Sequence, residues 1–214
     1  MKSHQISKTN ENTVRLTVCA IMIAMSTVLS FIKISHLPFG GSVTLFSFVP
    51  ILFAGYAYGW KWGIGSGLVY GIFQAMFDVS ASVAGAGFKW WQVALCAVLD
   101  YIFAGAVLGT AGIFRKTVKK PQLSFAAGTV FACLLKLCVH FLSGYTLFSG
   151  WAQSFFAEAS YGQFFIEHFS GNAFVVLYSL LYNSTFMIPE LIASTIAAVI
   201  IISVKPVRKA CGIK

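Results

Sequence analysis

Residues 173–204 read AFVVLYSLLYNSTFMIPELIASTIAAVIIISV, an apolar run whose one charged residue is Glu190. A bilayer core about 30 Å thick takes about 20 apolar residues in helical form, so the run is long enough to cross it. Working outward, runs of the same kind fill most of the chain. The sequence predicts spans at 14–32, 43–59, 62–78, 92–114 and 123–146 besides 173–204. The expected fold is all-α and integral to the membrane, a six-transmembrane-helix bundle forming one domain over residues 1–214. Composition agrees. Of the residues, 58% are hydrophobic and 10% charged, with mean hydropathy +0.81, against about 25% charged in a soluble domain. Lipid must cover most of such a surface.

The basic residues set the orientation, because lysine and arginine stay on the cytoplasmic side of a membrane. With six spans and a cytoplasmic N-terminus, twelve of the 15 lie inside, Lys33 and Lys89 lie outside, and Lys136 falls within a span. Both termini are expected in the cytoplasm, and the location is the cell membrane, multi-pass. The net charge of +9 does not indicate nucleic acid, since the basic residues sit at the ends of apolar runs and not in a patch beside aromatics. The first apolar run is long and lacks a small-residue cleavage site, so no cleavable signal peptide is expected. Glycine recurs in the third and fourth spans (Gly63, Gly65, Gly67, Gly71; Gly105, Gly109), as where membrane helices pack closely.

Several chemistries are excluded. The five cysteines show no CxxC or Cys/His metal spacing and four lie in apolar stretches, so neither disulfide nor metal is expected. There is no GxxxxGK[ST] phosphate loop, no GxSxG and no HExxH. The expectation is a solute carrier that is not an enzyme and needs no cofactor. The loops expected outside, 79–91 and 147–172, are rich in aromatic residues. They read as an interfacial belt or as a lid over a site that opens outward.

Charge inside hydrocarbon is costly and marks a site or a paired strut. Asp100, Lys136, His140 and Glu190 fall inside spans. At 1.5 Å per residue, all four come out about 20–26 Å from the cytoplasmic ends. Lys136, His140 and Gly144, at i, i+4 and i+8, share a helix face, and glycine leaves room there for a flat ligand or another helix. Asp100 with Tyr101 suits an amino-bearing or cationic ligand. The bland alternative is an Asp100–Lys136 ion pair serving structure alone. Tyr178 and Asn183 open the last span, and Pro189 should kink it beside Glu190, read mainly as a partner for Lys136.

The chain resembles the substrate-binding S components of energy-coupling factor vitamin transporters, most closely the thiamine-specific ones. The likeness rests on Ala20-Ile-Met-Ile-Ala24, Gly40-Gly-Ser-Val-Thr44, Gly63-Ile-Gly-Ser-Gly67 with Tyr70-Gly71, and Leu99-Asp100-Tyr101. It continues in Lys136-Leu-Cys-Val-His140-Phe-Leu-Ser-Gly144, Tyr178-Ser-Leu-Leu-Tyr-Asn183 and Pro189-Glu190. The resemblance implies that thiamine binds from the outer side and is delivered by a shared ATP-driven module. That module would consist of a coupling transmembrane subunit and two ATPase subunits. It implies that Asp100, Tyr101, His140, Gly144, Tyr178 and Asn183 hold the ligand. In some members a tryptophan eight positions after the histidine stacks on it; here that position is Phe148, with Trp151 as a substitute. Ala20 and Ala24 would dock on the coupling module. Independently, thiamine is flat and cationic and wants a carboxylate, an imidazole or amide, and aromatic faces. Two other readings stay open: an S component for another small nitrogenous solute, and an autonomous proton-coupled secondary transporter.

Overall fold

The computed structural model describes residues 2–36, 41–44 and 46–212, with residues 2–9 and 36 described by backbone alone. Gly40 and Lys214 therefore lie outside the described residues. The chain is mostly helical. Helix α1 (Lys2–Ser30) leads into a two-stranded antiparallel hairpin, β1 (Lys33–His36) and β2 (Ser42–Thr44). Then come α2 (Val49–Tyr58), α3 (Trp60–Ser82) and the continuous rod α4 (Trp90–Gly112). After α5 (Pro121–Thr146) two short helices, α6 (Ala152–Glu158) and α7 (Gly162–His168), cross one end of the bundle. Helix α8 (Gly171–Ser203) and the short α9 (Lys205–Ala210) close the chain.

Among the described residues, four helices are long and apolar enough to cross a membrane: Asn10–Ser30 within α1, and α4, α5 and α8. Two expected spans differ. In place of a span over 43–59, residues 42–44 pair as a strand and the helix covers only Val49–Tyr58, about 15 Å at 1.5 Å per residue. Pro50 sits in its first turn, where a missing N–H costs nothing. Gly59, at φ +92, ends it in a conformation that side chains resist. The third expected span, 62–78, is longer than foreseen at Trp60–Ser82. Its glycines, serines, Lys61 and Asp78 lower its hydropathy. Helix α2 is short but central, with Ile51, Leu52 and Ala54 fully buried.

Small residues bring α2, α3, α4 and α5 into backbone contact. A Cβ on Gly67 would lie 2.2 Å from the Gly105 carbonyl oxygen, and one on Gly128 would lie 1.8 Å from that of Ala111. Helices α5 and α8 run antiparallel over their length. The Ser179 hydroxyl donates to the Phe141 carbonyl at 2.7 Å and Asn183 Nδ2 to that of His140 at 3.2 Å. At the end of the bundle away from the hairpin, Arg115 follows α4. It donates to the Tyr56 carbonyl at 3.0 Å, to that of Ala57, and to that of Cys211 at 2.5 Å. These bonds satisfy orphan carbonyls at the end of α2 and hold the C-terminal segment against it.

Candidate ligand-binding cavity

A cavity of about 360 Å³ opens at the hairpin end of the bundle, within the size range of small-molecule sites. Its walls come from the end of α1, the hairpin, Ser47 and Phe48 ahead of α2, the second half of α3, the middle of α4, the second half of α5 and the first two thirds of α8. Asp100, Tyr101, His140, Gly144, Phe148, Tyr178 and Asn183 all line it. Trp151 does not; its ring lies 5.1 Å from that of Phe148, behind the cavity wall.

Helix α4 winds in wider π-type turns over Ala97–Phe103, the segment that carries Asp100 and Tyr101. Such turns, with bonds to i+5, recur at functional sites because they re-aim side chains out of the regular helix phase. The Asp100 carboxylate takes three donors. His140 Nδ1 lies 2.9 Å from Oδ1, while the Ser143 hydroxyl donates to Oδ2 at 2.5 Å and the Cys96 thiol to Oδ2 at 3.4 Å. A carboxylate only accepts, so the proton of the imidazole bond sits on Nδ1. A neutral His140 then offers Nε2 as an acceptor. Tyr101 turns toward α3 and donates to Ser82 Oγ at 2.8 Å. Asn183, buried, donates to the Ser179 and His140 carbonyls, so its amide braces α5 against α8 and leaves its oxygen for other donors. The Tyr178 hydroxyl is fully buried without a hydrogen-bond partner among the described residues. A Cβ on Gly144 would meet Ser179 Oγ at 2.4 Å, so this glycine serves the approach of α8 while its own backbone lines the cavity.

The expected charge pairing of Lys136 is corrected. Among the described residues its ammonium meets neither Asp100 nor Glu190 within 4.0 Å. It lies 4.8 Å from the centre of the Phe48 ring and borders the cavity, a cation–π placement. Asp100 is taken up by His140 and Ser143. Glu190, 1% exposed, accepts from both the backbone N–H and the hydroxyl of Thr44 at 2.6 Å each. It anchors the hairpin to α8. The Tyr182 hydroxyl helps by accepting from the Gly41 N–H at 2.7 Å.

Sequence reasoning missed four residues here: Ser143, Thr44, Lys33 and Asp78. Lys33 and Asp78 form an ion pair at 3.1 Å that ties the hairpin to α3 beside the cavity. Asp78 could have been flagged as one of only six acidic residues. Ser143 lies one turn from His140 on the same face, a spacing that was readable. Among the described residues, no group of three His, Cys, Asp or Glu side chains could hold a metal ion.

The cavity presents carboxylate and imidazole acceptors beside aromatic rings, a setting for a flat ligand bearing N–H donors. The chain is 30% identical to thiamine transporter ThiT of Bacillus subtilis (strain 168) over 196 residues, covering 90% of this chain and 92% of the relative. A solved structure of ThiT from Listeria monocytogenes superposes with a TM-score of 0.68, covering 94% of this chain and 98% of that one at 17% identity, which shows a shared fold. The relatives are named as transporters and not as enzymes. The family model described as thiamine transporter protein (Thia_YuaJ) matches residues 16–209, and this multi-pass membrane chain belongs to that family.

Proposed function

We propose that the chain binds thiamine from the outer side of the cell membrane and is the S component of an energy-coupling factor importer. The observation that carries this reading is the Asp100–His140 pair inside a cavity of about 360 Å³, in a chain of the thiamine transporter family. A flat cation with an amino-substituted ring finds there an anionic acceptor, a neutral acceptor at His140 Nε2, and the rings of Phe148, Tyr178 and Tyr182. Asp100, Tyr101, His140, Gly144, Phe148, Tyr178 and Asn183 are the residues assigned to the ligand. Trp151 acts through Phe148, whose ring it backs.

In this reading the chain makes six passes, with the hairpin and α2 together forming the second, and both termini lie in the cytoplasm. The basic residues support it. Lys61, Arg115, Lys116, Lys119 and Lys120 gather at the end of the bundle opposite the cavity. Ala20 and Ala24 are both exposed on α1, a small-residue face that a helix of the coupling subunit could approach closely. The two ATPase subunits supply the energy, since this sequence has no phosphate loop.

The test is calorimetry and tryptophan quenching on the purified chain in detergent. Thiamine should bind tightly with no ATP or metal added. No binding of thiamine, with binding of another nitrogenous solute, would give the cavity to that solute.

A further inference from the structure

The Asp100 carboxylate is not a bare charge waiting for a ligand, and the way it is held has consequences for what it can choose. A carboxylate has about four lone-pair positions. On Asp100, Oδ2 receives both the Ser143 hydroxyl and the Cys96 thiol, and Oδ1 receives His140 Nδ1. One position, on Oδ1, is left for a donor from the cavity. Ser143 is fully buried, and its 2.5 Å bond is the shortest of the three. It and His140 stand three residues apart on α5, so one helix face grips both oxygens. That face cannot turn, because Ser179 and Asn183 bind the carbonyls of Phe141 and His140 from α8.

We propose that Ser143 is a positioning residue that fixes Asp100 with Oδ1 toward the cavity, and thereby sets the preference for a ligand carrying an amino group on its ring. The inference rests on the thiamine-binding reading above. Without Ser143, Oδ2 loses its strongest partner and the carboxylate rotates to share its oxygens between His140 and the ligand. The geometric selection of an N–H donor then weakens, while the stacking surfaces of the cavity stay as they were.

The experiment compares two probes, thiamine and the analogue whose ring amino group is replaced by methyl, which has the same outline and no donor. Both are titrated against the parent, Ser143→Ala, Ser143→Thr, Asp100→Asn and the double variant Asp100→Asn/Ser143→Ala. The parent should prefer thiamine. Ser143→Ala should lose about tenfold or more in thiamine affinity and bind the methyl analogue nearly as the parent does. Ser143→Thr, which keeps the hydroxyl, should restore the preference. In the Asp100→Asn background, Ser143→Ala should cost no more than about twofold, because the partner it acts through is altered. Equal weakening of both probes in Ser143→Ala, or additive losses in the double variant, would overturn the proposal and leave Ser143 a packing residue. So would unchanged binding of both probes. A parent that binds neither probe refutes the thiamine reading itself, an outcome separate from these.

Discussion

The two halves of α4 solve opposite problems. From Ala104 to Gly112 the helix is built of small residues, and its backbone lies directly on those of α2, α3 and α5, with Gly109 set against Gly63 and Gly55. From Ala97 to Phe103 it widens into π-type turns and faces a cavity with Asp100 and Tyr101. The lower half gains stability from dense contact between small-residue surfaces whose backbones approach closely. The upper half leaves space and fills it with polar groups that brace one another. Ligand specificity can reside in the upper half because the lower half holds the helices at fixed separation. Without that platform, Asp100 on α4 and His140 on α5 would have no reason to stay 2.9 Å apart.

This contrast can be broken most forcefully from below. Gly109→Leu would place a Cβ 2.0 Å from the Gly63 carbonyl carbon, with backbone on the other side and no flexible chain end to yield. Destabilisation of more than about 3 kcal/mol is expected, since overpacked cores distort their backbones. The unfolding midpoint in detergent and the yield of monodisperse protein report it. A Gly109→Leu variant as stable as the parent would show that the seam is looser than its geometry.

In the upper half, Asp100→Asn should leave the fold intact and weaken thiamine binding by about 1.5–3 kcal/mol, the value of a hydrogen bond to a charged group. Titration calorimetry beside a melting curve separates the two effects. Normal binding by this variant would make the carboxylate a strut between α4 and α5. A smaller effect is expected at the wall between cavity and hairpin. Glu190→Ala removes the acceptor of both Thr44 donors and should cost about 1–2 kcal/mol of binding through a loosened hairpin, whereas Glu190→Gln keeps one acceptor oxygen and should lose less. Equal losses in the two would point to the charge of Glu190 and not to its grip on Thr44.

The smallest effect on binding is expected outside both regions, at Ala20 and Ala24. Replacing both with Trp should change thiamine affinity by no more than about 0.5 kcal/mol, as for other exposed positions. Uptake in membranes that contain the coupling and ATPase subunits should nevertheless be abolished. Loss of binding in detergent would place this face of α1 in the service of the bundle itself.

The sequence reveals the polar half more readily than the architecture around it. Asp100, His140 and Lys136 stand out because an ionisable group in an apolar run demands an explanation, and three of the long helices follow their runs closely. Partnership is less legible. Depth alone pairs Lys136 with Glu190, yet one oxygen of the Glu190 carboxylate, Oε1, takes two donors from one residue, Thr44, in a segment distant in sequence. The hairpin itself is invisible to hydropathy, because strands of four and three residues are too short to show an alternation. Helix α2 is shorter than the apolar run 43–59 because residues of similar composition ahead of it pair as a strand. Hydropathy measures what a segment can be buried in, and α2 is buried in protein.

The π-type turns of α4 also bear on how chains of this kind should be aligned. A turn closed by bonds to the fifth residue holds one residue more than an α-turn of the same role. The distance in sequence from the glycine seam to the carboxylate is therefore a property of the winding as well as of the site. A related chain with a regular α4 would need its acidic residue one position closer to the seam to reach the same place in space. A residue-by-residue alignment without a gap would score that equivalence as a loss. In this fold, the position of the acid is better compared along the helix axis than along the chain.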